Sequence, residues 1–205
     1  MNIKNTGFWR IAALIVFLAF IVACPRHRPL RIIFNQSDRG DAANYSELHH
    51  SDFFGGVLQI ADDFELAEDQ NTVTRVRWWG VYRDDIPVSD EFTVFVYEIY
   101  DPGEPQTHPW YEYTSTEVER TVTTQTITWG LDTLNVYEYN FDIEDVELDP
   151  DRTYALSIVN DVGRWAWLVN GSSSQGNNFS WARTERWGEW SANAIDSAFV
   201  LWSDR

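Results

Sequence analysis

The chain has 205 residues with 15 basic and 32 acidic side chains, a formal net charge of −17. Such a surface repels nucleic-acid phosphates and anionic lipid headgroups, which excludes both as partners. A single cysteine rules out an intrachain disulfide, so one hydrophobic core must hold the fold, and the length suits one domain rather than two.

Residues 1–23 have the order of a secretory leader. Lys4 and Arg10 form a basic start, and an unbroken apolar run, Ile11 to Ala23, follows. That run is shorter than the roughly 20 residues a spanning helix needs. It ends Ile21-Val22-Ala23-Cys24, which resembles a bacterial lipobox, where the cysteine after a small residue takes the lipid. Cys24 is therefore expected to begin a mature, exported lipoprotein, anchored to a membrane of the cell envelope. Two alternatives stand beside this. An uncleaved signal anchor could extend back through Phe8 and Trp9, and Arg26, Arg28 and Arg31 would hold its far side in the cytoplasm. Cleavage by an ordinary peptidase near Ala23 is the other. Pro25 follows the cysteine, and inner and outer membrane both stay open.

Lys4 is the only lysine, so the mature chain has arginine as its sole fixed cation. A lysine-free acidic surface suits a saline habitat, and equally a merely solvated face. Residues 24–50 read as a flexible tether, stiffened at its start by Pro25 and Pro29 and polar from Asn35 to Asn44. Residues 51–205 read as a single β-domain. Thr72–Tyr82, Glu91–Tyr100, Glu117–Trp129, Leu134–Ile143, Thr153–Asn160, Trp165–Asn170, Asn178–Thr184 and Ser197–Ser203 are rich in β-branched and aromatic residues. Turn clusters such as Asp101-Pro102-Gly103 and Asp149-Pro150-Asp151 separate them. No segment beyond the leader keeps a helical apolar period. The pattern predicts an all-β antiparallel sandwich or jelly roll of about eight to ten strands.

Within Glu91–Tyr100 both alternating faces are largely apolar, which predicts a central strand covered on each side. Arg120 to Ile127 is mostly threonine and predicts a half-exposed or edge strand. Asp161-Val162-Gly163 predicts a hairpin turn joining Thr153–Asn160 to Trp165–Asn170.

A set of segments in fixed order resembles a widespread module of exported bacterial proteins, often found beside PEP-CTERM-type sorting anchors. They are Ala61-Asp62-Asp63-Phe64, Val76-Arg77-Trp78-Trp79-Gly80-Val81-Tyr82, Phe92 to Tyr100, Thr153-Tyr154-Ala155-Leu156-Ser157-Ile158 and Asp196-Ser197-Ala198-Phe199-Val200-Leu201. They cover residues 57–203. The resemblance implies a secreted β-sandwich with no assigned catalytic residues. The chain departs from it at Arg205, where no C-terminal anchor follows, and the lipobox would do that work instead.

Of the 11 tryptophans, all but Trp9 lie in the mature part. Exposed indoles beside carboxylates hold sugar rings by apolar stacking and hydrogen bonds, so Trp165, Trp167, Trp187 and Trp190 are candidate ligand-binding residues. Core packing is the competing use, and it is the expected one for Trp78 and Trp129. Asp62 and Asp63 with Asp196 are candidate ligands of a structural calcium ion, because first and last strands of a sandwich often neighbour each other. Calcium takes six to eight oxygens. Acids flanking a buried Phe64, with Asp196 capping a turn, are the alternative. Asp84, Asp85 and Asp90 form a second acidic loop.

His49 and His50 adjoin Asp52, but successive residues on an extended chain point oppositely. His108 is isolated. No Gly-x-Ser-x-Gly elbow and no helical zinc-binding histidine pair occurs. Glu98, Asp101 and Glu104 lack the same-face spacing of a jelly-roll glycosidase motif. The expected function is a non-catalytic envelope module that binds a protein or a glycan. A carbohydrate-active hydrolase with carboxylates drawn from different strands is the alternative.

Overall fold

The computed structural model describes residues 29–37, 48–50, 59–82, 89–100, 103–161, 165–170, 180–184, 187–193 and 196–205. The leader, Cys24, Asp52, Asp84 and Asp85 lie outside these residues, as do the side chains of His49, His50 and Trp129. The chain divides into two units, Met1–Pro29 with Asp204 and Leu30–Ser203 with Arg205; every strand belongs to the second.

The described residues form fourteen strands and no helix. One sheet contains β1 (Arg31–Asn35), β14 (Phe199–Ser203), β4 (Thr72–Tyr82), β11 (Trp165–Leu168) and β2 (Leu48–His50), in that order. On the opposite edge of β4 lies β9 (Asp132–Glu147), and β8 (Glu119–Trp129) lies beyond it. The other sheet runs β13 (Ser191–Asn193), β12 (Ser180–Arg183), β3 (Gln59–Glu65), β10 (Thr153–Asn160) and β5 (Phe92–Tyr100). The outer edge of β5 pairs β7 (Tyr111–Ser115) and β6 (Glu104–Pro105). Every pairing is antiparallel.

Because strand residues alternate between faces, each strand sends every second apolar residue between the sheets. Val76, Trp78, Trp165 and Phe199 from one sheet meet Phe64, Phe92, Leu156 and others from the second in a single buried cluster. Aromatic rings make its centre. Trp78 stacks on Tyr139 with centroids 5.5 Å apart. Phe92 presents an edge to Trp78 at 5.2 Å, to Tyr139 at 4.9 Å and to Trp165 at 5.2 Å. Such edge contacts contribute beyond area burial alone, and here they tie one sheet to the other without a disulfide. Both outer faces also carry buried apolar clusters, around Trp79 and Val81 on one sheet and around Phe95, Tyr97 and Trp181 on the other.

The all-β antiparallel sandwich is the fold. Strand β5 is buried along most of its length and paired on both edges, as its two apolar faces require. Strand β8 pairs only β9 among the described strands, with Val122 exposed. Three expectations need correction. The region read as a tether enters the domain: β1 pairs β14, and β2 pairs β11. Ile32-Ile33-Phe34 is a short strand-forming run, and the edge of β14 offers it a hydrogen-bonding ladder that the flanking polar residues do not reveal. The hairpin expected between Thr153–Asn160 and Trp165–Asn170 does not form, because β10 pairs β3 and β5 whereas β11 pairs β4 and β2 in the other sheet; Val162 and Gly163 of its expected turn lie outside the described residues. Consecutive strands β10 and β11 therefore lie in different sheets. Finally, the short strands β1, β2, β6, β7 and β13 raise the count to fourteen among the described residues, above the expected eight to ten.

Candidate functional site

The four candidate tryptophans separate by depth. Trp165 and Trp167 are completely buried on the inner face of β11, while Ala166 and Leu168 point into the outer cluster. The Trp167 Nε1–H donates to the Ala198 carbonyl at 3.0 Å. These two are core residues and form no sugar platform, which corrects the sequence reading. Pairing on one face of a strand identifies a shared side but not which side faces solvent, and β11 is covered on both. Trp190 is buried as well, on the outer face of the second sheet. Only Trp187 of the four is exposed, at 46%.

Trp187 rests on a fixed base. Arg183 of β12 pairs across from Gln59 of β3, on the outer face. Its guanidinium carbon lies 4.2 Å from the Trp190 ring centroid, 5.2 Å from Tyr97 and 5.8 Å from Trp187. A guanidinium is planar and weakly hydrated enough to stack between rings, but burying it is costly unless its donors are satisfied. Here it donates to Gln59 Oε1 at 2.8 Å, the Tyr97 hydroxyl at 2.8 Å and the Thr107 carbonyl at 3.0 Å. Gln59 Nε2 in turn donates to the Tyr97 hydroxyl at 3.0 Å and to Ser157 Oγ at 2.9 Å.

The segment between β6 and β7 is pinned against this base. Trp190 Nε1 donates to the Gln106 carbonyl at 3.1 Å, beside the Arg183 bond to Thr107. On the same segment the His108 ring lies 5.1 Å from that of Trp187, and Trp110 is 63% exposed. The result is an aromatic surface on a rigid backing. Arg183 escaped the sequence reading, which set His108 aside as isolated. A signal existed for the first: an arginine sharing a strand face with Trp181, just before two more tryptophans, is placed to stack.

The acidic candidates also separate. Asp62 lies on the inner face of β3 between Ile60 and Phe64 and is fully buried; the next residue, Asp63, falls on the outer side with Ala61. Strand alternation therefore removes Asp63 from any site built on Asp62. Asp196 is buried and close enough for its charge to act on Asp62. Asp62 Oδ2 accepts from Gln36 Nε2 at 2.7 Å and from the Ser197 N–H. Burial, opposed by the Ser197 N–H and assisted by the charges of Asp196 and Asp63, holds the Asp62 carboxyl well above the usual carboxylate range. Among the described residues no three His, Cys, Asp or Glu side chains converge in a metal-binding group.

Other acids are committed to internal partners. Asp90 accepts from the Tyr82 hydroxyl and from Arg120 Nη1, and burial raises its carboxyl despite them. Asn160 donates to the Tyr82 hydroxyl at 2.8 Å. Glu98 pairs Arg152 and accepts from Tyr100 at 3.0 Å. A cleft of about 230 Å³ is lined by Arg75, Tyr113, Glu119, Asn140 and Asp142 among others. It is smaller than the roughly 300–1,000 Å³ of typical ligand pockets, and Arg75 Nη2 donates across it to Asp142 at 3.0 Å.

Comparison with protein-family models, curated proteins and solved structures returns no match.

Proposed function

We propose that the chain is an exported, lipid-anchored, non-catalytic β-sandwich of the bacterial cell envelope. It binds glycan at the aromatic surface around Trp187, His108 and Trp110. The observation that carries this reading is the exposed Trp187 indole seated on a guanidinium that three hydrogen bonds immobilise. An indole fixed in advance loses little freedom when a sugar ring stacks on it. Each stacked ring buries apolar area worth roughly 25 cal/mol per Å², so a few contacts give only micromolar to millimolar affinity. Weak single sites suit a module displayed in many copies on one surface, where avidity supplies the rest. The anchor is assigned to Cys24 on the lipobox pattern, and the module resembles those that accompany other exported bacterial proteins.

Soluble oligosaccharides are expected to quench tryptophan fluorescence, and Trp187→Ala should abolish the response while leaving the melting temperature unchanged. A broad glycan array without binding would overturn the glycan assignment and turn attention to a protein partner. For the anchor, Cys24→Ser protein should leave the membrane fraction, because a chain without its acyl groups loses about 0.8 kcal/mol of membrane affinity per buried CH₂. Unchanged fractionation and mobility would refute lipidation.

A further inference from the structure

Four buried side chains come together where β3 and β12 meet the approach to β14. Asp62, Ser180, Asp196 and Ser197 are each at most 3% exposed. Ser180 is directly opposite Asp62 in the β12–β3 ladder, so the two side chains leave the sheet on the same face. Ser197 is held against Asp62 through its N–H, and Asp196 precedes it. Gln36, just past β1, clamps the group by donating to Asp62 Oδ2 at 2.7 Å and to the Ser197 carbonyl at 3.1 Å.

What distinguishes this cluster from an ordinary buried acid is what remains unmatched. Asp62 Oδ1, Ser180 Oγ and Ser197 Oγ are all buried and none makes a hydrogen bond. One orphaned buried oxygen costs about 1–3 kcal/mol, and more when the group is charged, so three on residues joined by the β12–β3 ladder and the Ser197–Asp62 hydrogen bond call for a common partner. A proton on Asp62 does not supply it. A protonated Oδ1 would itself need an acceptor, and that atom makes no hydrogen bond. A cation satisfies all three oxygens at once and balances the Asp62 carboxylate.

We propose that Asp62, Ser180, Asp196 and Ser197 are ligands of a buried structural calcium ion that joins β3 and β12 to the start of the last strand. The donors are all oxygen, with neither histidine nor thiolate among them, which selects a hard cation over zinc or copper. Carboxylates, hydroxyls and backbone carbonyls at irregular angles suit calcium, which accepts six to eight oxygens, better than magnesium, which demands a near-ideal octahedron. The ion does the work a disulfide would do in another exported domain, holding the N-terminal strands to the C-terminal one.

The test uses the full chain stripped of metal with a chelator. Calcium titration by calorimetry should give one ion bound per chain. Terbium, which replaces calcium and luminesces when nearby tryptophans are excited, should report the same site and be displaced by calcium. At hundredfold free excess over Kd, calcium should raise the melting temperature by roughly 5–10 °C. Sodium chloride at matched ionic strength is the control, because salt alone stabilises so acidic a chain. Asp62→Asn preserves the shape of the side chain and should remove both the terbium signal and the calcium-specific shift. Should that variant fail to fold, Ser180→Ala deletes only a neutral ligand and should weaken terbium binding at least about tenfold. An equal melting shift in sodium, a calcium response retained in Asp62→Asn, or unchanged terbium affinity in Ser180→Ala would each overturn the assignment.

Discussion

Gly80→Ala is expected to destabilise the domain by about 3 kcal/mol or more, the upper end of the range for overpacked cores. A Cβ at this position would lie 2.3 Å from both Cε2 and Nε1 of Trp165. Such a clash is relieved only if the ring or the backbone moves, and neither is free. The Trp165 ring is fully buried and packs edge-on against Phe92 at 5.2 Å and Tyr139 at 6.1 Å. The backbone of Gly80 is paired on both sides, to Trp167 of β11 and to Tyr137 of β9. Close approach of the indole plane, rather than any unusual backbone angle, is thus what demands glycine here. Urea unfolding should show a lower midpoint with an unchanged slope, and the melting temperature should fall by roughly 6–12 °C. Adding Trp165→Phe should recover part of the loss, since residues in contact couple non-additively. A Gly80→Ala protein as stable as its parent would refute this packing.

Trp167→Ala carries the other large effect. Truncating a fully buried tryptophan costs about 3–5 kcal/mol. It also removes the indole N–H that satisfies the Ala198 carbonyl at 3.0 Å. Because natural domains have only about 5–15 kcal/mol in total, the variant should be partly unfolded at room temperature or aggregate on expression. The same truncation at Trp187, 46% exposed, should change stability by no more than about 0.5 kcal/mol. Chemical denaturation of the two variants side by side measures the difference. Equal, small losses would return Trp167 to the surface and reopen the two-tryptophan sugar platform.

The contrast between these tryptophans shows where sequence reading stopped. The strands themselves were legible: Thr72–Tyr82 and Thr153–Asn160 coincide with β4 and β10 to the residue. Long runs of β-branched and aromatic residues bounded by Asp-Pro and Gly turns leave few alternatives. Shorter pieces were not legible. Ile32-Ile33-Phe34 is too brief to carry a period, and β7, Tyr111–Ser115, alternates half-buried with exposed residues. Both are held by a neighbour's backbone, which a single segment does not display.

Of the candidate site, residue types and pairs were readable while depth and partnership were not. The chain itself determined an all-β antiparallel sandwich, because period-two apolar alternation without helical period permits little else. It also singled out Asp62 with Asp196 and Trp187 as residues to follow. Only the tertiary structure decided that Asp62 and Asp63 part company across one sheet, since alternation says that neighbours diverge but not which of them faces the core. It alone decided that β10 and β11 lie in different sheets and that Arg183 is the base under Trp187. Those contacts join residues far apart in the chain, such as Gln59 with Arg183 and Gln36 with Ser197. Non-local pairing of that kind is set by how two sheets bury each other's faces, a property of the whole packed chain.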